Sequence, residues 1–371
     1  MHLGHNLFVK DWDSINQKVK KSHPNSVRLN NKLATKLAEV NDTLLDLEKT
    51  KNDTSSRAIK KGFTSSANSS FFAQSAIYLD NMRKSEKYNR VTSEEPRIKH
   101  FKEFLGDSDI AFQEITLALL KKFRAYLKGT RKVGERTIIN HLITIRTVFN
   151  QAIAANIVDR KYYPFGRDKI VIKFPESIKI GLNPEEVKKM EGLDLPEGSL
   201  MDHARNVWLF SFYFAGMRAS DVLRLKWSDF QNERLHYAMG KNAKVGSLKI
   251  PEKATKILSQ YKKEKNTYGL VFPELQVVDD LTNTYEVQRK ISYAIKKLDK
   301  YLEDVAKEAK INKKLTMHIA RHTFGNISGE KIPLQMLQKL YRHSSITTTI
   351  AYQANFIHKN ADEALDAVIG F

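Results

Sequence analysis

The feature that most constrains the fold is a break in helical periodicity at residues 162–184, which read YYPFGRDKIVIKFPESIKIGLNP. Three prolines and two glycines fall within this stretch. Proline lacks a backbone N–H and clashes with the preceding helical turn, so a regular helix cannot run through the stretch. Helical patterns stand on both sides of the break. The sequence therefore predicts two separately folded parts joined by a linker at 166–182.

Apolar residues recur at helical spacing in four places before the break. The four stripes are Leu33, Leu37, Val40, Leu44 and Leu47; Phe72, Ala76, Leu79 and Met82; Ile115, Leu119, Leu120 and Phe123; and His141, Ile145, Val148, Phe149 and Ala152. After the break, Asn183 is placed to cap a helix that starts at Pro184. A hairpin is expected where RLHYAM and SLKIP flank GKNAKVG. The pattern predicts a mainly α fold with a small β-hairpin sheet.

The charge balance narrows the class of partner. The 371 residues include 62 Lys and Arg against 42 Asp and Glu, a formal net charge of +20. Such an excess favours a polyanion, because each neutralised phosphate releases condensed counterions. The chain has no cysteine, which excludes disulfides, thiolate nucleophiles and cysteine-ligated zinc. Without an apolar span or a secretory signal, we expect no membrane partner and a cytoplasmic, nucleoid-associated protein.

One segment before the break concentrates positive charge. The stretch KKFRAYLKGTRKVGER at 121–136 carries one acidic residue and seven basic ones: Lys121, Lys122, Arg124, Lys128, Arg131, Lys132 and Arg136. A charge run is usually a solvated helix face. On a chain with this net charge, at a helix end and loop, phosphate contact is an equal alternative, and we take these seven as candidate DNA-binding residues.

Four short segments after the break contain residues that could take part in catalysis or ligand binding. They are Arg218 in AGMRASDV, the lysines Lys241 and Lys244 in GKNAKVG, HIARH at 318–322, and the pair His343 and Tyr352 in HSSITTTIAY. Taken singly, the lysines fit ordinary turn residues, whereas Arg218 could equally be a surface residue or a functional one. His318 and His322 have the spacing of a zinc pair, but no glutamate follows the first histidine as the metalloprotease motif requires.

Taken together, these residues fit a phosphodiester and its transition state. Arginine binds two phosphate oxygens at once with its planar fork, and lysine or histidine can protonate a departing hydroxyl. A carboxylate cluster of the kind that holds two catalytic metals is missing from the sequence. We therefore expect no metal and no cofactor. The remaining nucleophile is a side-chain hydroxyl, and the phenol of Tyr352 fits because phenols ionise more readily than serine hydroxyls.

The order Arg, Lys, His-x-x-Arg, then His and Tyr nine residues apart closely resembles the tyrosine recombinase (phage integrase) family. The matching boxes are AGMRASDVLRLKWSDF, MHIARHTFGN and LYRHSSITTTIAY. The stretches SHPNS…LNNKLATKLAEV and YYPFG look most like integrases of Bacteroidetes mobile elements. The resemblance implies a helical SAM-like core-binding domain at 67–165 and a mixed, mostly helical catalytic domain at 183–371 that ends in a tail helix at 360–371. Residues 1–66 would be an N-terminal remnant of an arm-binding region, with a helix and a linker at 52–70.

The resemblance also assigns roles to individual residues. Arg218 and Arg321 become the phosphate clamps, Lys241 the general acid and Tyr352 the nucleophile. His318 and His343 become supporting histidines. Asp221 would orient the first arginine, while His322 would be structural. Two features depart from the family pattern: Arg342 stands where glycine usually precedes the last histidine, and the lysine hairpin is about two residues longer, so that Lys244 competes with Lys241.

The leading hypothesis is a site-specific DNA recombinase or integrase of a mobile element, acting through a 3′-phosphotyrosyl intermediate. It would act on double-stranded DNA attachment sites as a homotetramer on synapsed DNA, with accessory DNA-bending proteins as further partners. A type IB topoisomerase would share the chemistry without synapsis. A catalytically silent DNA-binding regulator on the same fold is the alternative from another class, and a metal-dependent nuclease is disfavoured by the missing carboxylates.

Overall fold

The computed structural model describes residues 7–49, 70–175, 180–238, 245–262, 267–329, 331–350, 352 and 369. The chain divides into two compact units, Met1–Pro175 and Glu176–Phe371, and the division point lies inside the stretch expected as the linker. The predicted mainly α fold with a small hairpin sheet is confirmed. Nearly all of the linker expected at 52–70, and the tail helix expected at 360–371 apart from Ile369, lie outside the described residues.

The described residues of the first unit are helical apart from one two-stranded ribbon, in which Trp12 pairs with Val19. Its elements in chain order are β1 Trp12–Asp13, β2 Lys18–Val19, α1 Ser26–Lys49, α2 Phe71–Lys84, α3 Tyr88–Phe104, α4 Leu117–Gly129 and α5 Glu135–Ala154. The helix expected from the leucine stripe is α1. Helix α5 is the helix expected from the fourth stripe, and all five residues of that stripe are buried.

Aromatic rings form the core around which α2 to α5 pack. Phe71, Phe101, Phe123 and Phe149 are all fully buried, and the rings of Phe101 and Phe123 lie 4.9 Å apart. Each such ring buries a large apolar surface. The expected stripe on α2 is only partly correct. Its buried face is Phe71, Ser75, Tyr78, Leu79 and Met82, whereas Ala76 is exposed and Phe72 is only half-buried.

A directed chain of hydrogen bonds joins α3 and α5. Arg131 Nη2 lies 2.5 Å from His100 Nε2, and His100 Nδ1 lies 3.1 Å from His141 Nε2. His141 Nδ1 lies 2.9 Å from the carbonyl oxygen of Thr137. Because arginine only donates and a carbonyl only accepts, each histidine must be neutral with its proton on Nδ1. The order of donation is Arg131 to His100 to His141 to the α5 backbone.

The second unit contains a three-stranded antiparallel sheet beside the helices, in the order β3-β4-β5. Its elements are α6 Pro184–Glu191, α7 Leu200–Tyr213, α8 Ala219–Val222, β3 Phe230–Gln231, β4 Arg234–Ala238, β5 Val245–Lys249, α9 Glu252–Tyr261, α10 Thr284–Glu308, α11 Met317–Ile327 and α12 Leu334–Tyr341. The expected hairpin is β4–β5. Strand β5 begins at Val245, two residues before the expected start, and β3 was not expected.

Helix α7 is the central element of the second unit, because it packs against both α10 and α11. Its fully buried Trp208 donates from Nε1 to the carbonyl oxygen of Thr316 at 3.1 Å. Thr316 is the N-cap residue of α11. The bond therefore holds the start of α11 against α7, which positions the HIARH segment.

The proline-rich stretch between the units contributes a buried residue to each of them. Ile170 is 4% exposed in the first core and Leu182 is fully buried in the second. Just after Leu182, Asn183 caps α6 with its side-chain oxygen, Pro184 is the first helical residue, and Glu186 completes a capping box. The predicted helix start is confirmed.

The histidine chain in the first unit predicts a stability that depends on pH. Burial lowers the pKa of His100 and of His141, and Arg131 lowers the pKa of His100 further. A histidine whose pKa is lowered in the folded state binds fewer protons there than in the unfolded chain. The contribution of these histidines to the free energy of unfolding is therefore fully present above the unfolded pKa near 6.5 and is lost as the pH falls below it. The loss is at most about 1.4 kcal/mol per pH unit for each proton.

We expect the free energy of unfolding of the first unit to fall between about pH 7.5 and pH 5.5. Urea unfolding followed by backbone amide signals of α3 and α5 measures it. His141→Gln should flatten the slope, while His236→Gln, at an exposed histidine of β4, should leave it unchanged. An equal slope in wild type and His141→Gln would contradict the assignment.

Candidate active site

Arg321 is a buried cation at the centre of the site. Its side chain on α11 is only 3% exposed. Nη1 donates to the carbonyl oxygen of Gly216 at 3.0 Å, and Nη2 donates to the carbonyl oxygen of Tyr341 at 3.1 Å. Burial lowers the pKa of this guanidinium, but an arginine stays protonated in proteins. The result is a fixed positive charge held by neutral acceptors.

Tyr341 holds Arg321 from a second side, and the sequence did not point to it. The guanidinium carbon of Arg321 lies 3.7 Å from the centre of the fully buried Tyr341 ring. The Tyr341 hydroxyl donates to the carbonyl oxygen of Arg321 itself. Burial raises the pKa of Tyr341. This phenol is therefore a structural partner of Arg321 and poorly suited to act as a nucleophile.

Gly216 explains why the AGMR turn contains a glycine. The residue has φ +64°, which glycine adopts without steric cost. A Cβ at this position would lie 2.6 Å from Cα of Arg321. The turn between α7 and α8 can therefore touch the backbone of α11 only if residue 216 has no side chain.

The same turn places Arg218 beside the site, as the half-buried N-cap residue of α8. After burial, the positive charge of Arg218 also acts to lower the pKa of Arg321. Two like charges repel each other, and an anion bound between them would offset the repulsion. Asp221 is buried one turn later. Burial lowers the pKa of Arg224, and the Asp221 carboxylate acts against that shift. The expected orientation of Arg218 by Asp221 stays a prediction.

Tyr352 lies next to Arg321, half-buried where Tyr341 is fully buried. Its ring centre is 5.8 Å from the Arg321 guanidinium carbon and 5.1 Å from the Tyr341 ring. A Cβ on Gly325, one turn after Arg321, would lie 3.1 Å from Cβ of Tyr352. Glycine at this position therefore lets Tyr352 approach α11 closely.

The histidines surround Tyr352 unequally. The His322 ring lies 5.1 Å from the Tyr352 ring and the His343 ring lies 5.5 Å from it. His322 is buried, whereas His318 is exposed and touches His322 edge-on at 4.6 Å. The residue expected to be structural is thus a direct neighbour of the tyrosine. Nothing in a single sequence distinguishes which of two histidines spaced at i and i+4 faces a partner.

His343 is fixed through both ring nitrogens. Arg321 Nη2 lies 3.1 Å from Nε2, and Thr349 Oγ1 lies 2.9 Å from Nδ1. Because arginine only donates, Nε2 is the acceptor and the neutral ring carries its proton on Nδ1, which donates to Thr349. Thr349 is fully buried. A threonine in the run ITTTIAY is therefore a partner of the histidine, which its sequence position alone did not indicate.

Two of the expected residues are outside the described part of the chain. Lys241 and Lys244 lie between β4, which ends at Ala238, and β5, which begins at Val245. The described strands give the positions of the residues that flank this segment. Tyr237 pairs with Gly246, and Ala238 pairs with Val245.

The basic segment expected to contact DNA lies in the first unit, on α4, α5 and the loop between them. Its lysines are exposed, and these are Lys121, Lys122, Lys128 and Lys132. The arginines already contact the protein. Arg124 pairs with Glu135 at 2.5 Å, Arg131 contacts His100, and Arg136 stacks on Phe174 at 4.9 Å.

Two further features concern the described residues only. They contain no group of three or more His, Cys, Asp or Glu side chains that could hold a metal ion. Across the same ranges, no helix is long and apolar enough to cross a membrane.

Family models match the chain in three consecutive parts. Residues 1–60 match the Arm DNA-binding domain, residues 70–170 the Phage integrase SAM-like domain, and residues 195–358 the Phage integrase family. The first match includes β1, β2 and α1, the region expected to be an arm-binding remnant. The exact domain boundaries stay a prediction.

Relatives and solved structures are similar at low identity. Two Sinorhizobium fredii proteins named as integrase/recombinase, y4qK and y4eF, are 22% and 23% identical over 236 residues. The aligned part is 63% of this chain in both, and 69% and 84% of theirs. The expected likeness to Bacteroidetes integrases stays a prediction.

Two solved structures share the fold. The XerH recombinase in a post-cleavage complex with palindromic difH substrate gives a TM-score of 0.55 at 19% identity, covering 78% of this chain and 84% of that one. A lambda integrase (75–356) dimer bound to a COC′ core site gives 0.55 at 14% identity, covering 76% and 95%. At these identities the likeness concerns the fold alone.

The geometry at His343 predicts the state of its ring. Thr349→Val keeps the shape but removes the oxygen that accepts from Nδ1, so a buried N–H loses its partner at a cost of about 1–3 kcal/mol. We expect a lower free energy of unfolding and a smaller Nδ1-protonated share in ¹⁵N spectra of the His343 ring. Thr349→Ser retains the oxygen and should keep the wild-type spectrum. An identical spectrum in Thr349→Val would rule out the bond.

Proposed function

We propose, from the premise that the chain belongs to the phage integrase family of tyrosine recombinases, that it is a site-specific DNA recombinase. The observation that carries the proposal is the placement of Tyr352 beside Arg321. A half-buried phenol lies against a buried cation that, among the described residues, contacts carbonyl groups, aromatic rings and a histidine. Such a cation suits a phosphodiester in its transition state.

In the proposed reaction, the phenol oxygen of Tyr352 attacks a backbone phosphorus of DNA. The new O–P bond forms as the bond between phosphorus and the 5′-oxygen breaks. The phenol gives its proton to solvent water, and the departing 5′-oxygen takes one from a general acid. The strand is then joined to the protein as a 3′-phosphotyrosyl diester. Attack by the 5′-hydroxyl of another strand reverses the same bond changes and completes strand transfer without an external energy source.

The residues have separate roles in this scheme. Arg218 and Arg321 oppose the charge that develops on the non-bridging phosphate oxygens, which is where preorganised donors stabilise a transition state most. His343 lies against both Arg321 and Tyr352 and can donate to the same phosphate once protonated on Nε2. His318 and His322 support the tyrosine side. Lys241 is proposed as the general acid, with Lys244 as its competitor.

The proposed partner is double-stranded DNA containing attachment sites. The exposed lysines of the first unit would neutralise phosphates, and the net charge of +20 supports a polyanion. The XerH and lambda integrase structures that share the fold contain DNA, and the latter is a dimer. We further propose that the protein acts as a homotetramer on synapsed DNA, together with accessory DNA-bending proteins. Its recombination would move a mobile element.

The nucleophile is tested with nicked duplex DNA, on which a covalent adduct accumulates and is read on a denaturing gel. Tyr352→Phe removes only the attacking oxygen, so it should bind DNA normally and form no adduct. Tyr341→Phe is the matched tyrosine control and should still form one, because Tyr352 remains. Arg218→Ala and Arg321→Ala should each lower the rate about 100- to 1,000-fold.

The adduct should form equally in EDTA, because the proposed step uses no metal. An adduct that persists in Tyr352→Phe, or one that EDTA abolishes, would overturn the proposed chemistry. DNA binding without any adduct in wild type would leave the alternative, a catalytically silent DNA-binding regulator on the same fold.

The general acid is tested with a substrate whose leaving group needs no proton. Lys241→Ala should slow cleavage of normal DNA by about 100-fold or more. DNA with a 5′-bridging sulfur at the cleaved phosphate should restore the rate, since a thiolate leaves without a proton. Lys244→Ala is the matched variant and should show the smaller loss. A larger, sulfur-rescued loss in Lys244→Ala would transfer the role to Lys244.

A further inference from the structure

Arg342 has a backbone conformation that glycine would adopt more easily. It is the C-cap residue of α12 with φ +52°, in the left-handed region. It stands directly before His343, where the resembled family usually has glycine. A residue with a side chain in this conformation is usually held there by its surroundings, so the contacts of Arg342 are informative.

The side chain of Arg342 reaches the β4–β5 pair. Nη1 donates to the carbonyl oxygen of Tyr237 at 3.2 Å, and the guanidinium carbon lies 4.0 Å from the centre of the Tyr237 ring. Tyr237 is 7% exposed, so the ring is a fixed surface for the stacked cation. The Arg342 side chain therefore links strand β4 to the start of the segment that begins at His343.

Strand β5 is shaped to receive the same side chain. Gly246 pairs directly with Tyr237 across the sheet. A Cβ on Gly246 would lie 2.6 Å from Arg342 Nη2, so the end of the arginine side chain would have to shift to make room for it. The Arg342 guanidinium therefore lies directly over Gly246, and its contacts involve both strands of the hairpin.

We propose that Arg342 is a positioning residue that fixes the β4–β5 hairpin against the segment from His343 to Tyr352. The two strands lead directly into and out of the segment that carries Lys241 and Lys244. Fixing the strands sets where those lysines can deliver a proton relative to the tyrosine. The inference rests on the proposed function for its consequence in catalysis, while the anchoring itself rests on the contacts of Arg342.

Three variants separate positioning from other roles. Arg342→Gly removes the side chain and relieves the left-handed conformation, so it should fold. Arg342→Lys keeps the charge but loses the planar stacking on Tyr237. Gly246→Ala keeps the arginine in the sequence and displaces the end of its side chain from its place over β5. Arg234→Ala is the matched control, because this β4 arginine contacts Ser247 within the sheet and is exposed.

The first measurement compares single-turnover cleavage of normal DNA and of DNA with a 5′-bridging sulfur. Arg342→Gly, Arg342→Lys and Gly246→Ala should slow normal DNA by about 10- to 100-fold, part of what a general acid contributes, and the sulfur substrate should recover most of the rate. Arg234→Ala should leave the ratio of the two rates unchanged. Equal loss on both substrates would mean that Arg342 binds phosphate or only stabilises the fold, and either result, like no loss, overturns the proposal.

The second measurement does not depend on cleavage. Hydrogen exchange of β4 and β5 backbone amides should be faster in Arg342→Gly and Gly246→Ala than in wild type, and unchanged in parts of the sheet away from Tyr237. Unchanged exchange overturns the anchoring. If wild type forms no adduct but exchange responds as expected, the proposed function fails while the anchoring by Arg342 stands.

Discussion

The second unit depends on burying one positive charge without neutralising it. Desolvation of a guanidinium is costly, and a carboxylate partner is the usual remedy. Within the described residues, Arg321 instead contacts two carbonyl oxygens, the face of Tyr341 and the ring of His343. These groups orient the cation without cancelling its charge. Its attraction for an anion is consequently preserved, and it is stronger than it would be in water because the surroundings are less polar.

The geometry around that charge comes from elements far apart in the sequence. Gly216 brings the α7–α8 turn against α11, Trp208 holds the start of α11, and Tyr341 closes the other side from the end of α12. Each contribution is a backbone group or an aromatic face. The charged residues that stand out in the sequence are therefore positioned by uncharged residues that do not stand out there.

Sequence patterns predicted local structure well wherever the cause was local. The Asn183 cap, Pro184 and the apolar stripe of α5 determine their helices through neighbours in the chain, and the structure agrees. The stripe on α2 was misjudged, because Ala76 is apolar enough to fit a core but small enough to be exposed at little cost. The three residues Arg321, His343 and Tyr352 were predicted to act together and do lie together. The contact of Tyr341 with Arg321 depends on how the end of α12 packs on α11, and the proximity of His322 to Tyr352 depends on how the segment after α12 packs there. Thr349 lies only six residues after His343, but nothing in the threonine run indicates which hydroxyl meets the ring.

The contact between Gly216 and Arg321 joins residues 105 positions apart. Contacts between such distant positions form late in folding, since closing a long loop costs entropy before any bond repays it. During synthesis, Gly216 emerges well before Arg321 does. A nascent or partly folded chain therefore has a basic surface but no assembled cation site. Because the guanidinium contacts its partners only when the second unit is folded, the proposed cleavage of a phosphodiester would require a complete second unit, whereas the proposed phosphate contacts of the exposed lysines in the first unit would not.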